Sequence, residues 1–190
     1  MNLLYPTIPI KQLPGMLRIA FLGAVVAGCY GALHDQVTYS ISPEYFLKFK
    51  SRQFSYADFG WPPRVFASEV GFLGSFWVGM AAGWFVARAG LVRLPRAMRR
   101  SCTLRSFAIL LTTCPAGGFT GALFGLTLTR HKNSSDWLLL QHAFGLENVR
   151  AFVIVGCLHA GSYLGALAGL IAAIIYVRRR VRTSVGSEPH

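Results

Sequence analysis

The chain has 190 residues, of which 53% are hydrophobic and only 14% are charged. Soluble domains carry about 25% charged residues, so this composition argues against a water-soluble globule, and the apolar content excludes a disordered chain. Lysine and arginine outnumber aspartate and glutamate by 19 to 7. Because cytoplasmic loops of membrane proteins collect basic residues, this excess favours the lipid bilayer as the partner and argues against nucleic acid.

Four apolar stretches are each long enough to cross the roughly 30 Å hydrocarbon core of a bilayer as a helix. They lie at positions 15–33, 65–87, 104–128 and 151–177. Backbone polar groups cannot stay unpaired in lipid, so we predict an all-α fold, a four-helix transmembrane bundle in a single domain. The remaining segments are outer loops at 34–64 and 129–150, a basic inner loop at 88–103 and a basic tail at 178–190.

The distribution of charge predicts the orientation of the bundle. With four spans, 12 of the 19 basic residues fall on the side of both termini and 7 fall on the opposite side. Six of the seven acidic residues also lie on that opposite side. The positive-inside rule therefore predicts that both termini are cytoplasmic.

Each outer loop contains a predicted short helix. In the first loop, Ser42 is a typical N-cap followed by proline, which predicts a helix through about Lys50. In the second loop, Ser135 precedes an apolar segment that Gly145 ends. Aromatic residues in the first loop and consecutive leucines in the second are typical of the headgroup zone, so both helices are predicted to be interfacial helices on the outer face.

Glycines recur at four-residue spacing in the last three spans. This spacing places them on one face of each helix, where a neighbouring backbone can approach closely, so their predicted role is helix packing. The glycines assigned to packing are Gly79, Gly83, Gly117, Gly121, Gly125, Gly161, Gly165 and Gly169.

The four cysteines form no Cys-x-x-Cys pair and share no polar loop, so neither a zinc knot nor a disulfide framework is predicted. The residues around Cys29 are similar to a bacterial lipoprotein cleavage site, which would leave a lipidated cysteine at the outer surface. The apolar run continues beyond Cys29 to Leu33, which favours an ordinary uncleaved span with Cys29 unmodified. Lipidation of Cys29 remains the alternative.

Ionisable side chains at membrane depth are costly in lipid and are functional candidates by default. His34 and Asp35 follow the first apolar stretch, Glu69 lies about 6 Å below the outer boundary, and His159 lies about 12 Å below it. All four fall in the outer half of the bundle, so we predict that they converge on one polar cavity open to the outer face. The alternative is that Glu69 pairs with Arg64 and His159 bonds a backbone carbonyl as ordinary helix contacts.

Two strings resemble a group of uncharacterised bacterial multi-pass membrane proteins. Residues 34–46 match an HDQ-x-T…SPEYF signature just after a first span, and residues 159–165 match an H-A-x-S-Y-x-G run in a last span. The resemblance implies residence in a bacterial inner (cytoplasmic) membrane. It carries no catalytic or binding assignment, although both strings contain polar residues assigned to the cavity.

No phosphate loop, nucleophile elbow, zinc-protease helix or dinucleotide fingerprint is present, which favours a non-enzymatic role. The leading function is therefore an accessory or structural subunit of a membrane complex, with other membrane subunits or a second copy as partners. A second reading is a metal, haem or proton-relay site in the outer half of the bundle. Two histidines and two acids specify no particular metal, so no cofactor is named. A third reading is a small transporter, which would have to be an oligomer because four spans form a minimal path.

Overall fold

The computed structural model describes residues 10–130 and 135–185 of the chain. Within those ranges nearly every residue is helical and there is no strand, which confirms the predicted all-α class. The helices are α1 (Leu13–Ile41), α2 (Ser51–Gln53), α3 (Pro63–Arg88), α4 (Arg96–Leu128), α5 (Ser135–Phe144) and α6 (Val149–Val185). Tighter or wider helical turns occupy Ile10–Gln12, Tyr45–Lys50, Ser55–Ala57 and Leu91–Arg93.

Four of these helices are long and apolar enough to cross a membrane, as the sequence predicts. The candidate spans are Ile10–Ile41, Pro63–Arg88, Arg96–Leu128 and Val149–Ser184. The architecture is thus that of a multi-pass membrane protein. We call the end of the bundle that carries residues 42–62 and 135–148 the loop end, and the opposite end the terminal end.

The helices extend well beyond the predicted apolar stretches. Helix α1 continues to Ile41 instead of ending near Leu33, so His34 and Asp35 lie inside a helix and not at the start of a loop. Helix α6 continues through its arginines to Val185. Hydropathy marks where side chains leave hydrocarbon, whereas a helix continues as long as its residues are good helix formers, and arginine is among the best.

Helices α1 and α3 run antiparallel and pack against each other along most of their length. Their backbones approach so closely that a Cβ atom at Gly23 or Gly79 would lie under 3.0 Å from the facing glycine's backbone. The same holds for Gly31 against Gly71, about two turns further towards the loop end. This first hairpin therefore requires residues without a side chain at its crossing points.

Helices α4 and α6 form a second antiparallel hairpin with the same kind of contact. A Cβ at Gly117 would meet Gly161 and Gly165, and one at Gly121 would meet the backbone of Cys157. At the other predicted positions a Cβ would clash as follows: Gly83 against Ile19 and Ala20, Gly165 against Thr113 and Cys114, and Gly169 against Thr113. Gly125 is looser, with its nearest neighbour, Ile154, at 3.0 Å.

The two hairpins contact each other much less than the helices within each hairpin do. At the terminal end they share an apolar core that includes Met16, Val86, Leu91 and Val177, all fully buried or nearly so. At the loop end a second core surrounds Phe46. Between these two cores the hairpins diverge, and this separation leaves the space in which the polar side chains lie.

A carboxylate from the first loop fastens the loop end. The oxygens of Glu44 accept hydrogen bonds from the backbone amides of Glu147 and Asn148, at 2.9 and 2.8 Å. Lys48 donates to Glu44 and to the carbonyl oxygen of Gly145, both at 2.5 Å. This contact connects the segment at 42–62 to the start of α6. Without it, the amides of Glu147 and Asn148 at that helix start would lack these acceptors.

The predicted outer-loop helices exist with altered bounds. A helical segment follows Ser42, whose hydroxyl accepts a 3.4 Å hydrogen bond from the amide of Tyr45, and it is π-helical over Tyr45–Lys50. Helix α5 ends at Phe144, before Gly145 with φ +61°. The predicted N-cap at Ser135 is not tested, because the structure does not describe the side chain of this residue.

Candidate metal centre

Three of the four predicted cavity residues meet near the loop end of the bundle. His34 and Asp35 are adjacent on α1, and His159 reaches them from α6. One potential ligand atom from each of the three lies within 4.8 Å of the other two. Asp35 and His159 are only 4% and 8% exposed, so this group is withdrawn from solvent.

The hydrogen bonds of His159 determine which of its nitrogens carries a proton. Nδ1 lies 2.9 Å from the carbonyl oxygen of Val155, which can only accept, so Nδ1 carries the proton. Nε2 lies 3.0 Å from the Oδ1 atom of Asp35. In a neutral imidazole that carries its proton on Nδ1, the Nε2 atom has only a lone pair. That lone pair would face the carboxylate oxygen of Asp35 and be repelled by it. The pair is therefore incomplete without one positive charge between or on the two groups, either a proton or a metal ion.

His34 presents a second imidazole to the same point. Its Nδ1 atom lies 3.3 Å from the hydroxyl of Tyr30, while its Nε2 atom is buried with no hydrogen-bond partner among the described residues. The rings of His34 and His159 meet edge to face, with centroids 5.3 Å apart. A buried nitrogen without a hydrogen-bond partner is unfavourable and is available as a ligand.

Aromatic rings from the π-helical turn at Tyr45–Lys50 cover this group. The ring of Tyr45 stacks on His159 with a centroid distance of 5.0 Å and an interplanar angle of 20°. Phe46 contacts the same imidazole edge to face at 6.2 Å. Burial, with a smaller contribution from Tyr163 and Asp35, raises the pKa of Tyr45, so its hydroxyl stays protonated. These rings hold the imidazole in place and exclude water.

The three residues lie at one end of a cavity of about 340 Å³ between the two hairpins. All four long helices line it, and most of the lining side chains are apolar. The polar groups that share it include Tyr30, Cys114, Ser162 and Tyr163. Ser162 and Tyr163 lie three and four residues after His159, so they share its helix face, a spacing already visible in the sequence.

Lys50 also lines the cavity, and sequence reasoning did not find it. Its side chain comes from the π-helical turn at Tyr45–Lys50 and is only 8% exposed. The ammonium donates to Gln53 at 2.9 Å and lies 5.3 Å from the ring centre of Phe54. Burial lowers the pKa of Lys50, an effect that the charge of Asp35 partly offsets.

Glu69 does not join this group. The residues of α3 that line the cavity include Val70, Gly71, Gly74 and Val78. At about 100° per residue, Glu69 lies about 180° from the middle of that stripe, on the far side of α3. Convergence of all four residues was expected from depth alone, and depth does not specify on which face of a helix a residue lies.

Glu69 does not pair with Arg64 either. The Arg64 guanidinium bonds the side chains of Gln36 and Ser40, at 3.4 and 3.3 Å. One carboxylate oxygen of Glu69 is buried without a hydrogen-bond partner in the described part of the chain. Glu69 is therefore a half-buried acid at similar depth that is separate from the His–Asp–His group, which makes it a natural control.

No protein-family model, no curated protein and no solved structure matches this chain, so its site is interpreted from its own residues.

Proposed function

We propose that this protein is a multi-pass membrane protein that binds one divalent transition-metal ion through His34, Asp35 and His159. The observation that carries the proposal is the buried 3.0 Å contact between the Oδ1 atom of Asp35 and the Nε2 atom of His159, which a positive charge on or between the two groups stabilises. The buried Nε2 of His34, which has no hydrogen-bond partner among the described residues, supports a metal ion over a single shared proton, because a proton shared by Asp35 and His159 leaves that nitrogen unsatisfied.

The ligand chemistry favours a first-row transition metal. Two imidazoles and one carboxylate form the set found at non-haem iron and at catalytic zinc sites, which keep positions open for water or substrate. The Nδ1–H group of His159 donates to a backbone carbonyl, an outer contact that orients metal-binding histidines and makes them more basic. A haem is disfavoured, because Asp35 occupies the space that the porphyrin would need beside His159.

The orientation and the location belong to the same proposal. The excess of basic residues on the side of both termini supports cytoplasmic termini and a metal centre in the outer half of the membrane. The resemblance of residues 34–46 and 159–165 to bacterial membrane proteins supports a bacterial inner membrane.

Metal analysis of the protein purified in a mild neutral detergent tests the proposal. We expect about one Zn²⁺, Fe²⁺ or Mn²⁺ ion per chain, and after chelation we expect stoichiometric binding of Co²⁺ with visible absorption bands. His159→Ala and Asp35→Asn should abolish both. Glu69→Gln, which removes a half-buried acid outside the cavity lining, should leave both unchanged.

Circular dichroism and gel filtration establish that each variant is folded. If the folded wild-type protein binds no Co²⁺, or if folded His159→Ala and Asp35→Asn bind it as well as wild type does, the metal proposal is wrong. A wild-type protein that takes up one proton at this site, and no metal, identifies the group as a proton-binding dyad instead.

A second candidate is an accessory subunit of a membrane complex, and the exposure of α4 favours it. Only 11% of the apolar span of α4 is buried, against 39% for the spans of α1 and α3. This surface faces either lipid or another subunit. The mass of the particle in mild detergent distinguishes these cases. A stoichiometric partner protein supports the accessory-subunit function, whereas a homo-oligomer is compatible with a small transporter.

A further inference from the structure

The cavity extends far beyond the metal ligands. On α1 it is lined from Gly23 to Asp35, which at 1.5 Å per residue is about 18 Å along the helix. This length is about half the thickness of a bilayer's hydrocarbon core. Towards the terminal end its walls are apolar and include Phe107, Leu110 and Leu170. The cavity is therefore a long apolar slot with one polar end.

The slot reaches the surface of the bundle along its side. Several side chains that line it are also exposed, among them Phe85 at 49%, Leu111 at 39% and Leu167 at 55%. These residues lie inside the candidate spans, which the proposed function places in lipid. A molecule can therefore enter between the two hairpins directly from the bilayer.

The polar end carries a buried ammonium that is in no salt bridge among the described residues. Lys50 is buried, and in the described ranges no carboxylate lies within salt-bridge distance of its ammonium. Its contacts are an amide oxygen of Gln53 and the faces of Tyr45, Phe49 and Phe54. Burying an ammonium without an anion is unfavourable. With a divalent metal bound by Asp35 and two neutral imidazoles, the positive charge at this end increases further.

We propose that the slot binds a single-chain amphiphile with an anionic carboxylate head, with the chain along the apolar walls and the head between Lys50 and the metal centre. The proposal rests on the proposed function for the metal contact, whereas the contact with Lys50 is independent of it. A negative head compensates the buried ammonium, and its oxygens fit the open positions of a hard or borderline metal ion. A neutral head of equal length satisfies neither requirement.

Binding of radiolabelled dodecanoate to the protein in neutral-detergent micelles tests the proposal, with dodecanol as the uncharged probe of equal length. We expect one dodecanoate per chain, and at least tenfold weaker binding of dodecanol. Lys50→Gln should weaken dodecanoate binding about tenfold or more and leave dodecanol unchanged, because only the charged head loses a charge-assisted hydrogen bond.

Two variants obstruct the slot without touching the metal ligands. At Gly74 a Cβ would meet only Phe54 and Tyr163, at 3.7 and 3.8 Å, so Gly74→Leu fits the backbone and fills the slot. Ala166→Leu does the same from α6, while Ala168→Leu makes the same change at an exposed position outside the lining. We expect the first two to lose dodecanoate binding and the third to retain it, with metal content unchanged in all three.

The outcomes separate the two proposals. Dodecanoate binding that depends on Lys50 and on an open slot, in a protein that holds no metal, supports the slot and refutes the metal. Equal affinity for dodecanoate in Gly74→Leu, Ala166→Leu and wild type refutes the slot, whatever the metal content. Equal binding of dodecanol and dodecanoate refutes the anionic head. Retention of a two-chain phospholipid that dodecanoate does not displace refutes the single-chain occupant.

Discussion

Removing the carboxylate of Glu44 should loosen the loop end of the bundle. In Glu44→Ala the amides of Glu147 and Asn148 lose their acceptors, and Lys48 loses its partner. Hydrogen bonds to charged groups contribute about 1.5–3 kcal/mol each when water is excluded. Both amides are exposed, so water replaces most of that interaction. A net loss of about 1–2 kcal/mol, similar to the loss of a helix N-cap, is expected.

The contribution of Glu44 should depend on pH in a defined direction. Burial alone would raise the pKa of this carboxyl, but the hydrogen bonds from Lys48 and the two amides outweigh it, so the pKa is lowered from the ordinary 4.5. A carboxylate with a lowered pKa in the folded state stabilises that state fully above its ordinary value. The stabilisation fades as the pH falls below 4.5 and through the folded-state pKa.

Thermal unfolding in neutral detergent at pH 7 and at pH 3.5 measures both effects. A loss of about 1–2 kcal/mol lowers the melting temperature of a protein of this size by about 2–8 °C. Glu147→Ala is the matched control, since it removes an exposed acid in the same turn and keeps its amide. If Glu44→Ala melts like Glu147→Ala at pH 7, or if its deficit grows at pH 3.5, the assignment of Glu44 as an acceptor for these amides is wrong.

Three further results are expected. Saturating Co²⁺ at about 100 times its dissociation constant should stabilise the wild-type protein by about 2.7 kcal/mol, with no effect on His159→Ala; equal shifts would place the ion elsewhere. Gly161→Ala should destabilise the α4–α6 hairpin by about 1–3 kcal/mol because its Cβ would overlap the Gly117 backbone, whereas Gly156→Ala, with only Tyr45 at 3.7 Å, should be tolerated. Single cysteines are introduced in a cysteine-free background and labelled from outside sealed cells. A cysteine at Ser55 should react and a cysteine at Ser184 should not; labelling at Ser184 would contradict cytoplasmic termini.

The helical class and the number of candidate spans could both be predicted from the amino-acid sequence. Both depend on local properties, because a run of about 20 apolar residues must pair its own backbone groups in lipid, whatever it packs against. The shared face of the regularly spaced glycines was likewise predictable, because the 3.6-residue period of a helix places residues four apart on the same side. The end of α1 was not predictable in this way, since the helix continues past the apolar stretch that ends at Leu33 and reaches Ile41.

Which polar residues meet depends on how distant helices pack against each other. His159 is 124 positions from Asp35, and their contact depends on how far each hairpin is rotated towards the other. Residue depth, which the sequence does supply, placed Glu69 near the same level, but its face of α3 points away from the cavity. Lys50 is the converse case, a cavity residue that the sequence did not indicate. In the sequence it is a lysine among aromatic residues, which is typical of an interfacial anchor, and only the packing of its loop against the bundle brings it to the cavity. Side-chain direction across helices is set by packing between distant segments, and no local pattern encodes it.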